Sequence, residues 1–151
     1  MSEPISRKAL LKRAGVIGVV APRKGAAADA APEDGLDLHV CLTAEGRILA
    51  FNGHVDLGTG IRTALAQMVA EELDFPLEAV EMVLGHTADT PDQGATIASE
   101  TIQVTSLAIR IAATQIRARL IALAAAALSC AEDEIALSDG VISRMGETAQ
   151  A

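Results

Sequence analysis

A glycine-rich turn between a strand-like and a helix-like segment constrains this chain more than any other feature. The turn is Gly58-Thr59-Gly60, which follows the strand-like residues 55–57 and precedes a helical pattern over Ile61–Leu73. Glycine adopts left-handed conformations readily, so the chain can reverse here and begin a helix at once. The first N–H groups of a helix lack intrahelical partners and lie at the positive end of its dipole. The turn therefore predicts an anion site, most often a phosphate site.

A second, longer helix is predicted over residues 99–129. Apolar residues recur at alternating spacings of four and three, at Ile109, Ala113, Ile116, Leu120 and Leu123. This spacing is typical of a helix with one buried face. The polar residues 86–97 precede the helix without any periodicity. A long loop inside a compact domain is more often functional than idle, so we expect this loop to contribute to a site.

Small residues surround the start of the long helix. They are Thr96, Ala98 and Ser99, with Thr101 one turn further on. If the two helix starts converge, their N–H and O–H groups form a cradle that suits a phosphate attached to a polar heterocycle. Each signal alone is weak, because Thr and Ser near helix starts commonly act as caps. The turn also lacks the third glycine of a dinucleotide fingerprint and the Gly-Lys-Ser/Thr of a P-loop.

The remaining pattern predicts an α+β domain with a mostly antiparallel sheet and two main helices. Residues 36–42 alternate as in a half-buried strand, and a turn at residues 44–46 leads to a second strand at residues 47–51. Residues 55–57 and 80–84 are further strand candidates. Residues 135–142 predict a closing hairpin, since Asp-Gly at its centre is a strong turn signal. This order is typical of helices packed against an antiparallel sheet.

The distribution of charge and cysteine excludes several functional classes. Residues 1–24 carry six basic residues and one acid, whereas residues 25–151 carry six Arg, no Lys and 19 acids. Residues 25–151 are therefore strongly acidic and lack the basic patch that a nucleic-acid-binding surface needs. Cys41 and Cys130 are far apart, so the chain has no zinc or iron–sulfur ligand set. The three histidines are scattered, and we assign neither metal ligands nor catalytic residues.

The core must be built almost entirely from aliphatic residues. Phe51 and Phe75 are the two aromatic residues, and the chain has no Trp or Tyr. Small aliphatic side chains each bury little area. Five of the six residues 122–127 are Ala, which allows another backbone to approach closely. We therefore expect the domain to depend on a larger partner for part of its stability.

Residues 1–35 are predicted to precede the folded domain, which occupies residues 36–151. A basic start, an apolar run at residues 14–21 and an alanine-rich stretch follow one another as in an export signal. The segment looks like a twin-arginine leader in which Lys8 replaces the second arginine, which implies the periplasm. A flexible basic tail on a cytoplasmic protein is the alternative. The apolar run is too short to cross a bilayer, so no membrane span is expected.

Four motifs stand in a specific order along residues 36–144. They are Gly53-His-Val-Asp-Leu-Gly-Thr-Gly-Ile-Arg-Thr-Ala-Leu-Ala-Gln67, Val69-Ala-Glu-Glu-Leu73, Gly85-His-Thr87 and Thr90-Pro-Asp-Gln-Gly94. In order and spacing they resemble the molybdenum-cofactor-binding subunit of the xanthine dehydrogenase and aldehyde oxidase family. The nearest branch contains isoquinoline 1-oxidoreductase and nicotinate dehydrogenase.

The resemblance implies which residues contact the cofactor, molybdopterin, or a dinucleotide form of it. In the family, the glycine turn and the segment opening the long helix make these contacts. On this sequence they fall on Gly58, Thr59, Gly60, Thr96, Ala98, Ser99 and Thr101. Family members often carry Gln where this chain has Thr59, and a small neutral residue where it has Glu100. The shorter Thr side chain makes a direct bond to the pterin less certain than backbone donation.

The resemblance also implies a role as the small subunit of a heteromeric molybdenum hydroxylase. Such enzymes hydroxylate a heteroaromatic or aldehyde carbon with oxygen from water. The catalytic glutamate and the remaining pterin contacts are expected on a large molybdenum subunit. Iron–sulfur clusters are expected on a partner subunit, or another electron acceptor serves. Two alternatives stay open: a scaffold or interaction domain that has kept the fold and lost the cofactor, and the product of a truncated gene.

Overall fold

The structure, a computed structural model, describes residues 17–20 and 38–146. Within these residues six strands are present: β1 Ile17–Val20, β2 Leu38–Leu42, β3 Ile48–Asn52, β4 Val80–Leu84, β5 Ile135–Ser138 and β6 Val141–Arg144. The α-helices are α1, Ile61–Leu73, and α2, Ser106–Leu128. A π-helical turn, Thr101–Thr105, runs directly into α2, and short 3-10 turns occupy Leu77–Ala79 and Glu132–Glu134.

The larger sheet has the strand order β1-β2-β3-β4. Its first three strands are antiparallel, and β4 pairs parallel with β3. A parallel pair needs a crossover connection, and α1 provides it. The predicted hairpin of β2 and β3 is confirmed, with the Gly46 N–H donating to the Thr43 carbonyl at 2.9 Å. The predicted α+β class is thus confirmed, with one parallel strand pair.

The strand predicted at residues 55–57 is wrong. After Asn52 the chain leaves the sheet. The N–H of Val55 donates to Thr96 Oγ1 at 3.0 Å instead of joining a strand ladder. Three residues are too few to decide between a strand and an anchored loop, and here the contact between Val55 and the distant loop decides it.

The core lies between the larger sheet and the two helices. The predicted face of the long helix is confirmed at four positions that are 0% exposed: Ile109, Ala113, Ile116 and Leu120. Leu123, predicted on the same face, is 37% exposed. α1 contributes Leu65 and Val69, also fully buried. Burial of each such aliphatic side chain contributes about 1.5–3 kcal/mol, which compensates for the scarcity of aromatic residues.

The closing hairpin of β5 and β6 is confirmed. Asp139 and Gly140 both have positive φ, 50° and 72°, as a two-residue type I′ turn requires. Asp74, at the end of α1, holds this turn in place. Its carbonyl accepts the N–H of Gly140 at 2.6 Å, and its Oδ1 accepts the N–H of Asp139 at 3.0 Å. The hairpin is therefore fastened to the end of α1 that lies opposite the glycine turn.

Of the predicted leader or tail, residues 1–35, the structure describes only β1. This strand pairs antiparallel with β2 and forms an edge of the larger sheet. The rest of that prediction lies outside the described residues. The helical stretch Thr101–Leu128 has 28 residues and contains an 18-residue window with a mean hydropathy of 1.5, enough to cross a membrane by length and composition alone. The core helix of a soluble protein passes the same test, and one face of this helix packs in the domain core.

Candidate functional site

A cavity of about 520 Å³ lies where the two predicted helix starts meet. Small-molecule sites typically measure roughly 300–1,000 Å³. Five of the seven predicted site residues line it: Thr59, Thr96, Ala98, Ser99 and Thr101. Gly58 and Gly60 shape the adjacent turn, with φ of 87° and 76°. The fold thus brings together two segments that are distant along the chain.

The start of α1 is closed by a carboxylate. Asp56 Oδ1 accepts the N–H groups of Gly58 and Thr59 at 2.9 and 3.0 Å, and Oδ2 accepts the N–H of Arg62 at 3.1 Å. The hydrogen bond from the Arg62 N–H is the main cause of the lowered pKa of the Asp56 carboxyl, and the N–H groups of the turn add to it. The prediction of bare N–H groups at this turn is therefore wrong for Gly58 and Thr59.

The sequence carried a signal for this arrangement. An Asp two residues before a Gly commonly accepts the N–H groups of its own turn through its side chain. Asp56 has this spacing to Gly58. A dianionic phosphate at the turn would face the Asp56 carboxylate and would have to displace its hydrogen bonds. What the turn offers to the cavity is the side chain of Thr59.

The start of the long helix is open. Its first residues have no side-chain cap. The N–H of Glu100 donates to the Ile97 carbonyl at 3.0 Å, and the N–H groups after it lie at the positive end of the helix dipole. Glu100 itself is not among the residues that line the cavity. Asp56 already accepts three N–H groups at the start of α1, whereas no side chain caps the start of the long helix, where donors stay available to a ligand.

Backbone strain marks the same place. Ala98 and Ser99 are consecutive non-glycine residues in the left-handed region, with φ of 51° and 58°. This conformation costs roughly 1–2 kcal/mol per residue that carries a Cβ. Strain of this kind persists only where the surrounding structure enforces it, and it clusters at ligand sites. The strain therefore points to a function for the segment that lines the cavity.

The long helix begins with its π-helical turn for a reason visible in its side chains. The N–H of Ser106 donates to the carbonyl of Thr101, five residues earlier. The Thr105 hydroxyl donates to the same carbonyl at 2.8 Å, and the Ser106 hydroxyl donates to the Ile102 carbonyl. Hydroxyl bonds to preceding carbonyls compete with the regular ladder. Such π-helical turns are frequent at functional sites.

A buried histidine joins the loop to the long helix. His54 is 0% exposed, with Nδ1 2.7 Å from Thr101 Oγ1 and Nε2 3.3 Å from the Gln93 carbonyl oxygen. The Gln93 side chain accepts the N–H of Gly53 at 2.8 Å. A Cβ at Gly53 would lie 2.2 Å from the Pro91 carbonyl oxygen, so this position requires glycine. The loop is thereby held against the end of β3.

Asn52, the last residue of β3, ties the histidine to the helix. Its Oδ1 accepts the N–H of His54, and its Nδ2 donates to Thr105 Oγ1, both at 2.9 Å. Asn52 is 0% exposed, as a fully paired amide can be. Sequence reasoning missed Asn52, Gln93 and Thr105 as site supports, and considered His54 only as a metal ligand. The Asn-Gly-His run directly after a strand was the available signal.

The lining of the cavity combines uncharged hydroxyl residues with apolar ones. The apolar residues include Val55, Leu57, Ile61 and Ile102. No Lys or Arg is among the lining residues that the structure describes. Such a surface suits a neutral polar heterocycle held against an apolar wall. Positive charge to balance a phosphate would have to come from outside this lining.

The fold and the cavity define a small α+β domain with a cavity, suited to a polar organic ligand, where two helix starts meet. Comparison with known proteins gives the family. Residues 6–150 match the sequence profile of the molybdopterin cofactor-binding domain, and the chain belongs to that family.

Similar proteins agree with this assignment. A nicotinate dehydrogenase subunit from Pseudomonas putida is 45% identical over 151 residues, which cover 95% of this chain and 13% of that protein. The large subunit of nicotine 6-hydroxylase from Paenarthrobacter nicotinovorans is 31% identical over 71% of this chain and 13% of that protein. The solved structure of quinoline 2-oxidoreductase from Pseudomonas putida 86 matches with a TM-score of 0.63 and 28% identity. That match covers 71% of this chain and 14% of the solved one.

These matches confirm the resemblance to the molybdenum hydroxylases that the sequence motifs predicted. A probable xanthine dehydrogenase subunit from Bacillus subtilis is also similar, with 41% identity over 58 residues, 38% of this chain and 8% of that protein. The chain spans about an eighth of the length of its first two curated relatives, 13% in each case. Most of the sequence of these relatives therefore has no counterpart in this chain.

The residues present fit the heterocyclic part of molybdopterin better than its phosphate. Hydroxyls of Thr59, Thr96 and Ser99 and an open helix start can meet the polar edges of a pterin, and the apolar wall can meet its flat face. The uncharged lining offers no side-chain cation to a phosphate. Among the described residues, no group of three His, Cys, Asp or Glu could hold a metal ion.

Proposed function

We propose that this chain is a cofactor-binding small subunit of a heteromeric molybdenum hydroxylase. Its role is to hold part of molybdopterin and to support the hydroxylation of a heteroaromatic or aldehyde substrate with water. The observation that carries the proposal is the single cavity into which Thr59 and the segment from Thr96 to Thr101 converge. Membership of the molybdopterin-binding family supports it.

In this proposal the chain's own residues bind the cofactor and orient it. Thr59 lines the cavity from the glycine turn, and Thr96 and Ser99 line it from the segment before the long helix. The open start of the long helix adds N–H groups and a positive dipole end. When bound, the cofactor supplies the redox chemistry at molybdenum. The described residues contribute position, hydrogen bonds and an apolar wall, and no residue of this chain is assigned a catalytic role.

The proposal also assigns roles to partner chains. In this proposal the catalytic glutamate, the substrate pocket and the rest of the pterin site belong to a large molybdenum subunit. An iron–sulfur subunit or another acceptor receives the electrons. Apolar side chains remain exposed beside the cavity, with Leu57 at 75% and Ile97 at 61%. Their burial against a large subunit would enclose the cofactor.

The proposal is tested by purifying the chain together with its large subunit and measuring molybdenum by mass spectrometry and pterin by fluorescence. Ser99→Ala should lower the pterin content several-fold, because it removes one hydroxyl from the cavity. Ser129→Ala is the matched control, since Ser129 is also a left-handed serine but lies at the far end of α2. A wild-type complex without molybdenum and pterin would overturn the proposal.

The second candidate function is a scaffold domain that has kept the fold and lost the cofactor. The capping of the first helix start by Asp56 favours it, because this removes donors from the site. The same purification distinguishes the two functions. If Ser99→Ala and a Gly58 variant leave complex assembly, pterin content and turnover unchanged, the scaffold function is the correct one.

A further inference from the structure

The hydrogen bond between Thr101 and His54 determines what the Thr101 hydroxyl can offer to a ligand in the cavity. Thr101 lines the cavity, and its Oγ1 lies 2.7 Å from Nδ1 of the fully buried His54. The other ring nitrogen, Nε2, lies 3.3 Å from the Gln93 carbonyl oxygen. A carbonyl oxygen can only accept a hydrogen bond, so in the neutral ring the hydrogen sits on Nε2. Nδ1 is then an acceptor, and the Thr101 hydroxyl must donate to it.

This donation uses the one hydrogen of the Thr101 hydroxyl. Its remaining lone pairs can only accept. Thr96, which lines the same cavity, has the opposite direction, because its Oγ1 already accepts the N–H of Val55 and keeps its own hydrogen for donation. The cavity therefore has an accepting position at Thr101 and a donating position at Thr96.

We propose that His54 is a positioning residue that sets Thr101 as an acceptor, so that this end of the cavity selects an N–H or O–H edge of its ligand and rejects a phosphate oxygen. The inference rests on the proposed function and deepens it. A pterin carries ring N–H and amino groups that fit an acceptor. The phosphate end of the cofactor must then lie away from the Thr101 hydroxyl.

The geometry that enforces this direction is built before any ligand arrives. Thr105 Oγ1 donates to the Thr101 carbonyl at 2.8 Å and accepts from Asn52 Nδ2 at 2.9 Å. Asn52 Oδ1 in turn accepts the backbone N–H of His54. Asn52 thus holds both members of the His54–Thr101 pair. With its partners fixed in this way, the imidazole ring cannot exchange its two nitrogens without losing a buried hydrogen bond.

The first test measures the ring directly and needs no cofactor. Nitrogen-15 NMR of the full chain at pH 8 should show His54 with a protonated Nε2 and an unprotonated Nδ1. The Thr101 hydroxyl proton should exchange slowly enough to be observed. A protonated Nδ1 with an unprotonated Nε2 would overturn the inference, because Thr101 would then be free to donate.

The second test separates ligand edges with two soluble probes, 6-hydroxymethylpterin and inorganic pyrophosphate, titrated into the full chain and followed by amide shifts. Thr101→Val should weaken pterin binding about five- to tenfold, the loss of one hydrogen bond, and leave pyrophosphate binding unchanged. Thr101→Ser keeps the hydroxyl and should keep pterin binding, which also controls for folding. Equal weakening of both probes, or of pyrophosphate alone, would overturn the inference. If the wild-type chain binds neither probe, selection of a ligand edge at Thr101 is overturned, whereas the proposed function is judged by the molybdenum and pterin content of the complex.

Discussion

The two helix starts face one cavity and differ in almost every physical respect. At α1 the turn is made of glycines, which adopt positive φ without strain, and Asp56 accepts the N–H groups of Gly58, Thr59 and Arg62. At the long helix the turn is made of Ala98 and Ser99, which are strained at positive φ, and no side chain caps the helix. An acidic side chain accepts three N–H groups at the first start, and no side chain caps the second.

The difference teaches that a helix start is a ligand site only when its donors remain available. Glycines before a helix indicate a tight turn, and an acid two residues earlier can already accept its N–H groups. Strained non-glycine residues before an uncapped helix indicate a start whose N–H groups remain available to a ligand. A network of Asn52, His54 and Gln93 contacts the second start through Thr101 and Thr105. We therefore expect ligand binding to depend on the long helix and stability of the turn to depend on Asp56.

The largest effect should come from breaking the support of the open start. Gly53→Ala places a Cβ 2.2 Å from the Pro91 carbonyl oxygen, a backbone atom that can yield only if the loop moves. We expect a loss of about 3 kcal/mol in the free energy of unfolding, measured with urea. Gly94→Ala is the control, because its φ is +83° but nothing lies within 4 Å of the added Cβ. Equal losses in both variants would show that the loop does not press on Gly53.

The closed start should give the next largest effect. Asp56→Ala removes the acceptor of three N–H groups and should lower the Tm by roughly a few degrees. Because the folded-state pKa of Asp56 is lowered, its stabilisation is complete above the unfolded-state pKa, about 3.9. It is lost as the pH falls through the lower folded-state pKa. The difference between wild type and Asp56→Asn should therefore shrink below about pH 4, measured by thermal unfolding across pH.

Asp56 also offers a test of the comparison itself. If the two starts are as different as the contacts indicate, Asp56→Asn should change stability and leave pterin binding nearly unchanged. A variant that binds inorganic pyrophosphate more tightly than wild type would show that the carboxylate was masking an anion site. A large loss of pterin binding would contradict the assignment of the ligand to the long-helix side.

Relief of strain at the open start should give a smaller and opposite effect on stability. Ala98→Gly removes the penalty of a Cβ at φ 51°, partly offset by the greater freedom of glycine in the unfolded chain. We expect a gain of about 0.5 kcal/mol together with weaker retention of the cofactor. Asp139→Gly is the matched control, since Asp139 has φ 50° in the hairpin turn away from the cavity. It should gain similar stability without any effect on the cofactor.

The sequence predicted those features that depend on local pattern. The β2–β3 hairpin, the Asp139-Gly140 turn and both helices follow from periodicity and turn chemistry, and the structure contains them all. The meeting of Thr59 with Ser99 was inferred from motif order, not from any local rule. What sequence reasoning missed depends on contacts between distant residues. The strand predicted at residues 55–57 fails because Val55 bonds to Thr96, and no window of sequence around Val55 contains that partner.

The buried network could not be predicted for the same reason. Whether His54 serves a metal, a cap or a core depends on what packs against it, and its partners Gln93 and Thr101 lie far along the chain. The π-helical turn is equally hidden, because its Thr and Ser residues have the same helix propensity whether or not their hydroxyls bond to preceding carbonyls. A polar residue at the end of a strand, shortly before a glycine turn, is a candidate for holding the residues of a nearby site in place, as Asn52 does.

The smallest effect should come from the bodies of the two helices, away from their starts. Arg110 on α2 forms an ion pair with Glu72 on α1, with Nη2 2.6 Å from Oε1, and its side chain is 55% exposed. Arg110→Met should lower the free energy of unfolding by about 0.5 kcal/mol or less, and by less at high salt. Arg117→Met on the same helix serves as the control. Pterin binding should not change, because neither start gains or loses a contact. If Arg110→Met weakened pterin binding as much as Ser99→Ala, pterin binding would depend on the contact between the helix bodies. The assignment of ligand binding to the start of the long helix would then be wrong.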